Sequence, residues 1–208
     1  MVVAMSLRHP VEQDVRQYLG ADEVVDCTHP AIRAVAARLS GTGPIDTARR
    51  CFEFVRDEIA HSGDHKRSPT TCAASEVLAA GTGYCYAKAH LLTALLRQNG
   101  LPAGLCYQRL TVDGPHPPYC LHGYLAVFLP EHGWYAIDPR GNKPEVDAQF
   151  APPTEQLAFP ITHPGERDFP FVFVRPLDLV VRCLRTFATW DAVRANLPDA
   201  IALDASSR

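Results

Sequence analysis

The sequence predicts an α+β fold in a single domain, with helices in the first half followed by an antiparallel sheet. Three observations carry this. Apolar residues recur at helical spacing before residue 100, short aliphatic and aromatic segments occupy 103–137, and turns bearing Gly, Pro, Asn and Asp bound those segments.

The first helix covers Ala31–Leu39, with Thr28 and Pro30 as capping and first-turn residues and Gly41 closing it. A second starts near Asp46, where Ala48, Cys51, Phe52, Val55 and Ile59 form one buried stripe. Ser62–Thr71 is polar and reads as a loop, and a short helical piece, Ala73–Ala79, follows. Gly81 and Gly83 then give a flexible entry to a helix from about Tyr84 to Asn99, which Gly100 and Pro102 end. Leu91, Leu92, Leu95 and Leu96 make that helix a buried one. Ala103–Val112, His122–Leu129 and Gly133–Ile137 read as strands. Residues 143–175 are proline-rich and read as irregular, and the tail carries helices near Leu177–Phe187 and Trp190–Asn196.

Bulk composition bounds the function. With 208 residues, 47% of them hydrophobic, one compact domain spanning 1–208 has a full core. The net charge of −3 and the lack of a basic run give no footprint for nucleic acid or an anionic membrane. No stretch has the apolar length of a membrane helix, and the opening residues Met1–Pro10 hold too short an apolar run for a secretory leader. Seven cysteines, an odd number with no CxxC pair, point to reduced thiols in a cytoplasm and away from a structural zinc site.

Cys85 differs from the other six cysteines in its setting. It falls in the first turn of a helix, where unpaired N–H groups and the helix dipole favour a thiolate. The same N–H groups can hold the oxyanion of an acyl transfer, and the preceding glycines let the backbone approach a substrate. The plain alternative is a small buried hydrophobe, as most free cysteines are. Cys51 lies on a core stripe, Cys106 in a strand, Cys183 mid-helix, and Cys27 and Cys72 lack a Gly-rich entry.

A thiolate nucleophile needs a base, and the base an orienting group. His122 opens one strand and Asp138 ends the next. If these strands form a hairpin turning near Pro130–Gly133, both residues lie near its open end on neighbouring strands. Taken singly, each also suits a structural role, as a hydrogen-bonded histidine or as the turn-forming Asp of Asp-Pro.

Three blocks then resemble the core of the transglutaminase-like superfamily. They are Gly81-Thr-Gly-Tyr-Cys85-Tyr-Ala-Lys-Ala, His122-Gly-Tyr-Leu-Ala-Val-Phe and Gly133-Trp-Tyr-Ala-Ile-Asp138-Pro, in the order Cys, His, Asp, over roughly residues 45–142. The resemblance implies a papain-like core, a cysteine helix packed on an antiparallel sheet. It also implies roles: Cys85 nucleophile, His122 general base then acid, Asp138 its orienter. Tyr86 stands where calcium-dependent cross-linkers of the family carry Trp, and neither β-sandwich domains nor an acidic calcium loop fit the sequence. A metal-independent, cofactor-free bacterial type is therefore expected, a peptidase or amidase acting on a peptide or small amide or acyl substrate through a thioester. The alternatives are protein cross-linking and a binding module that keeps the fold without catalysis.

Tyr107 and Gln108 are candidate oxyanion donors, and Tyr84 and Trp134 candidate cleft walls. Arg140 and Asn142 either hold the loop after Asp138 or bind a substrate carboxylate. A metal site from His116, Cys120 and His122 is a third reading, short of a fourth ligand. The extension after residue 150 either covers the cleft or packs on the sheet. Oligomeric state is open.

Overall fold

The computed structural model describes residues 8–207; of the opening run considered as a leader, residues 1–7 lie outside the described part. Its helices are α1 (Pro30–Leu39), α2 (Pro44–Glu53), α3 (Ser62–His65), α4 (Ala74–Ala80), α5 (Cys85–Gln98), α6 (Asp178–Thr186) and α7 (Trp190–Ala195). The strands are β1 (His9–Pro10), β2 (Ala60–His61), β3 (Thr82–Gly83), β4 (Ala103–Thr111), β5 (Tyr119–Leu129), β6 (Gly133–Ile137), β7 (Gln149–Ala151), β8 (Thr154–Gln156) and β9 (Arg167–Phe173). The main sheet has the order β1-β9-β4-β5-β6, and β2–β3 and β7–β8 form two small ladders. The α+β expectation holds.

Helix α5 is the axis of the molecule. Every residue from Cys85 to Arg97 is buried, the polar Lys88, His90, Thr93 and Arg97 included. It lies against β4 and β5 on one flank and α1, α2 and α4 on others. Its far end is fixed by Arg97, whose guanidinium donates to the carbonyls of Ala103 (2.9 Å), Gly20 (2.7 Å) and Val174 (2.6 Å). A buried cation is tolerable there because three chain segments supply acceptors.

Gly123, next to His122, sets how closely α5 meets the sheet. A Cβ at this position would stand 2.8 Å from Tyr86 Cδ1 and 3.1 Å from Tyr86 Cα. The first turn of α5 thus sits directly on β5, and only glycine allows it. Opposite, β4 pairs with β5 in unbroken register from Ala103↔Val127 to Thr111↔Tyr119.

Several elements differ from the sequence reading, each for a local reason. The cap of α1 is His29 rather than Thr28, its Nδ1 accepting the Ala31 N–H at 3.3 Å with Pro30 in the first turn. The second helix buries the expected stripe, yet its last turn, Phe54–Glu58, widens to a π turn. Lys88 of α5 donates there to the carbonyls of Arg56 (3.2 Å) and Ile59. The stretch 62–71 holds a helical turn, α3, and 143–175 holds three strands, of which β9 joins the main sheet beside β4.

Candidate active site

Cys85 is the first residue of α5, after Tyr84 in extended conformation at the cap position. No side chain caps this end, so the N–H groups of the first turn stay available. The thiol is 7% exposed and faces a cleft of about 790 Å³. His122, two residues along β5 from Cys120, lines the same cleft.

The register shows how Asp138 reaches His122. Leu125 opposes Ile137 and Leu129 opposes Gly133, so the hairpin turn spans 130–132. Continuing one step sets Asp138 beside Tyr124, diagonal to His122 and on the same face of the hairpin. His122 Nε2 donates to Asp138 Oδ2 at 2.7 Å, with His122 4% and Asp138 0% exposed. That occupies Nε2 and leaves Nδ1 for the thiol.

The Asp138 carboxylate is fully engaged. Besides His122, Oδ2 accepts the Ala158 N–H at 3.1 Å and Oδ1 the Arg140 N–H at 3.0 Å. Burial pushes its pKa up, but the charge of His122 and these donors hold it below the ordinary carboxylate value. His122 shows the reciprocal effect. Burial alone would lower its pKa; the charges of Asp138 and of Cys85 as thiolate outweigh that and lift it to about 10. His122 is therefore favoured as the imidazolium at neutral pH, which sets a positive charge beside Cys85. The other buried thiols are held protonated by burial, Cys51 and Cys106 near pKa 12 and Cys72 and Cys183 near 11.

The extension after residue 150 contributes to both cleft and sheet. Phe159 meets His122 edge-on at 5.1 Å between ring centroids, and Phe159, Pro160, Thr162, His163 and Glu166 form one rim. Trp190, Arg194 and Leu197 form part of another, while β9 packs in the sheet.

The remaining candidates divide. Tyr84 lines the cleft, its hydroxyl donating to the Trp190 carbonyl. Tyr107 does not: it is buried in the core and its hydroxyl accepts the Leu177 N–H at 3.2 Å. Gln108 pairs with His122 across β4 and β5 but does not line the cleft; its Nε2 points at the Phe159 carbonyl, 3.4 Å away. Trp134 lies outside the cleft, 4.6 Å from the ring of Tyr18 and 5.6 Å from that of Phe128. Trp134 is partly buried, packed against the small cluster that holds Tyr18, Tyr124 and Val172.

Arg140 and Asn142 hold loops. Arg140 pairs with both Asp64 carboxylate oxygens, joined by Lys143 at 2.7 Å, and Asn142 donates to the Ala148 carbonyl at 3.2 Å. Among the described residues, no group of three or more His, Cys, Asp or Glu side chains is placed to hold a metal, the set His116, Cys120 and His122 included. None of the described helices is long and apolar enough to cross a membrane.

His61 and Phe159 are two of the cleft residues that the sequence reading did not single out. His61 sits in a two-residue strand, too short to leave a periodic signal, and Phe159 in a proline-rich stretch. A histidine beginning a polar loop was the only available hint of the first.

The family model described as the transglutaminase-like superfamily matches residues 33–139, half of the chain and a span that contains Cys85, His122 and Asp138. The chain belongs to the transglutaminase-like superfamily. The matched span begins at α1, earlier than the core near residue 45 that the motifs marked. Among solved structures, one neighbour is a proposed cysteine protease from Cytophaga hutchinsonii, 16% identical, with a TM-score of 0.50 over 65% of this chain and 46% of that one. Another is the periplasmic domain of TgpA from Pseudomonas aeruginosa, 21% identical, with a TM-score of 0.46 over 62% of this chain and 48% of that one. The first of these shows a shared fold. The chain spans about half the length of these neighbours. No curated protein matches it.

Proposed function

We propose that this superfamily member is a cysteine-dependent acyl-transfer enzyme that cleaves an amide or related acyl bond. One observation carries the reading: a thiol at an uncapped helix start shares a cleft with a buried, 2.7 Å His–Asp pair. Membership of the superfamily supports a hydrolase or transferase of the cysteine type.

In this reaction the Cys85 thiolate attacks the carbonyl carbon, and the Cys85 N–H meets the oxygen as charge develops on it. His122 Nδ1 gives its proton to the departing amine and the acyl-thioester remains. Water or a second amine, deprotonated by His122, then attacks the thioester and frees Cys85. Asp138 keeps the ring oriented and stabilises its charged form throughout. A cleft of about 790 Å³ suits a short peptide segment or a small amide.

The test is a peptide and activated-ester panel run on wild type, Cys85→Ala and His122→Ala. Turnover that depends on both residues supports the proposal. A wild-type protein that forms no acyl-enzyme with any substrate contradicts it and favours a binding module on the same fold.

A further inference from the structure

An oxyanion that rests on one N–H alone is poorly held and calls for a second donor in the cleft. Tyr84 and Tyr86 are committed, their hydroxyls donating to the carbonyls of Trp190 and Leu121. Tyr107 and Gln108 do not line the cleft.

His61 meets the requirement. It lies in β2, in register with Gly83 of β3, two residues before Cys85. Its ring lines the same cleft, 5.5 Å from the ring of Tyr84. Nδ1 accepts the Asp64 N–H at 3.3 Å, while the Asp64 carboxylate, 3.4 Å from Nδ1, is taken by Arg140 and Lys143. With Nδ1 acting as acceptor, the ring proton belongs on Nε2. Among the described residues Nε2 has no hydrogen-bond partner, and it is not sealed in the interior. Burial first, then the charge of Arg140, and those of Lys88 and His122, outweigh Asp64 and keep the imidazole neutral. A neutral imidazole donates a hydrogen bond without competing for the proton His122 must deliver.

We infer that His61 donates its Nε2–H to the substrate carbonyl oxygen and, with the Cys85 N–H, forms the oxyanion pocket. As the Cys85 Sγ–C bond forms, the carbonyl π pair moves to oxygen and is held by both donors. When the bond to the leaving group breaks, that pair returns to the carbonyl, and the leaving group takes its proton from His122. No proton leaves His61.

The inference rests on the proposed acyl transfer, and one pair of reactions separates the two. Acylation of Cys85 by p-nitrophenyl acetate passes through an oxyanion, whereas alkylation by iodoacetamide does not. His61→Leu is expected to slow the acylation burst about 100-fold and leave alkylation of Cys85 unchanged. His61→Gln, which keeps a donor, is expected to recover most of the burst. An unchanged burst in His61→Leu overturns the role of His61 alone. An equal fall in both reactions in both variants also overturns it, because that outcome places His61 in thiol activation or folding. A wild-type protein without a Cys85-dependent burst overturns the acyl-transfer reading together with it.

Discussion

At the scale of single residues, the proposed chemistry rests on two pKa values driven in opposite directions. Asp138, fully buried, is held ionised and His122 protonated, each stabilising the other. Asp138→Asn is expected to remove the charge that holds the His122 proton. Imidazole NMR should then show His122 deprotonating at lower pH than in wild type, with turnover falling on the order of 10²- to 10⁴-fold. The stability link has a definite sign. The folded pKa of His122, about 10, lies above its ordinary 6.5, so its contribution is complete below pH 6.5 and fades as pH rises towards 10. Cysteine reactivity follows the same logic. Timed iodoacetamide labelling near pH 6, read by peptide mass spectrometry, is expected to modify Cys85 ahead of Cys51, Cys72, Cys106 and Cys183, whose burial keeps them as thiols.

At the scale of elements, the position of α5 on β5 decides whether thiol and imidazole meet. Gly123→Ala would push a methyl into Tyr86 at the start of α5. The expected cost is about 1–3 kcal/mol of stability, seen in urea unfolding, with activity lost more steeply than stability. The rim formed by 159–166 has its own anchor. Glu166 accepts the N–H groups of Thr111 (3.0 Å), Thr162 (2.9 Å) and His163 (2.9 Å), and these donors, outweighing burial, depress its pKa to about 2. Its contribution is present above its ordinary pKa near 4.5 and lost as pH falls towards 2. Urea unfolding of wild type and Glu166→Gln should therefore differ at pH 7 and converge as pH approaches 2.

Much of this was legible in the sequence because it is encoded locally. Gly81, Gly83 and Gly100 bracket α5, and a leucine-rich interior marks it as buried, so Cys85 falls at its start by inspection. The diagonal His122–Asp138 relation follows from two strands and a short turn. Strand β9 was hidden because Pro170 interrupts it and Pro lacks an N–H for a ladder; the structure admits it because beyond β9 lies only the two-residue β1. His61 was hidden because its place depends on a ladder between residues 22 positions apart, Ala60–His61 with Thr82–Gly83, which no periodicity announces. Tyr107 and Trp134 show the opposite failure: aromatic residues near a motif in sequence that pack away from the cleft.

At the scale of the molecule, the chain folds its C-terminal segment back over the sheet and completes the cleft walls. Asp199 receives both arms of the Arg109 guanidinium at 2.7 Å each, and the Leu121 N–H donates to the Pro198 carbonyl at 2.7 Å, directly beside His122. Arg194 and Asp113 tie the same segment to the turn between β4 and β5. Asp199→Asn is expected to cost about 1–2 kcal/mol, a fall of roughly 2–8 °C in Tm for a domain of this size, read by calorimetry. The two halves of the chain thus meet at the cleft, the helical half presenting the thiol and the later half the imidazole, carboxylate and rims.

The central claim is that Cys85 carries an acyl group between two half-reactions. Brief exposure to p-nitrophenyl acetate, quenched in acid and followed by intact-mass and peptide mapping, tests it directly. A single acetyl group on Cys85, absent from Cys85→Ala and slow to form in His122→Ala, is the result expected. Wild-type protein with Cys85 unmodified, or acetylated no faster than Cys120, would contradict the claim.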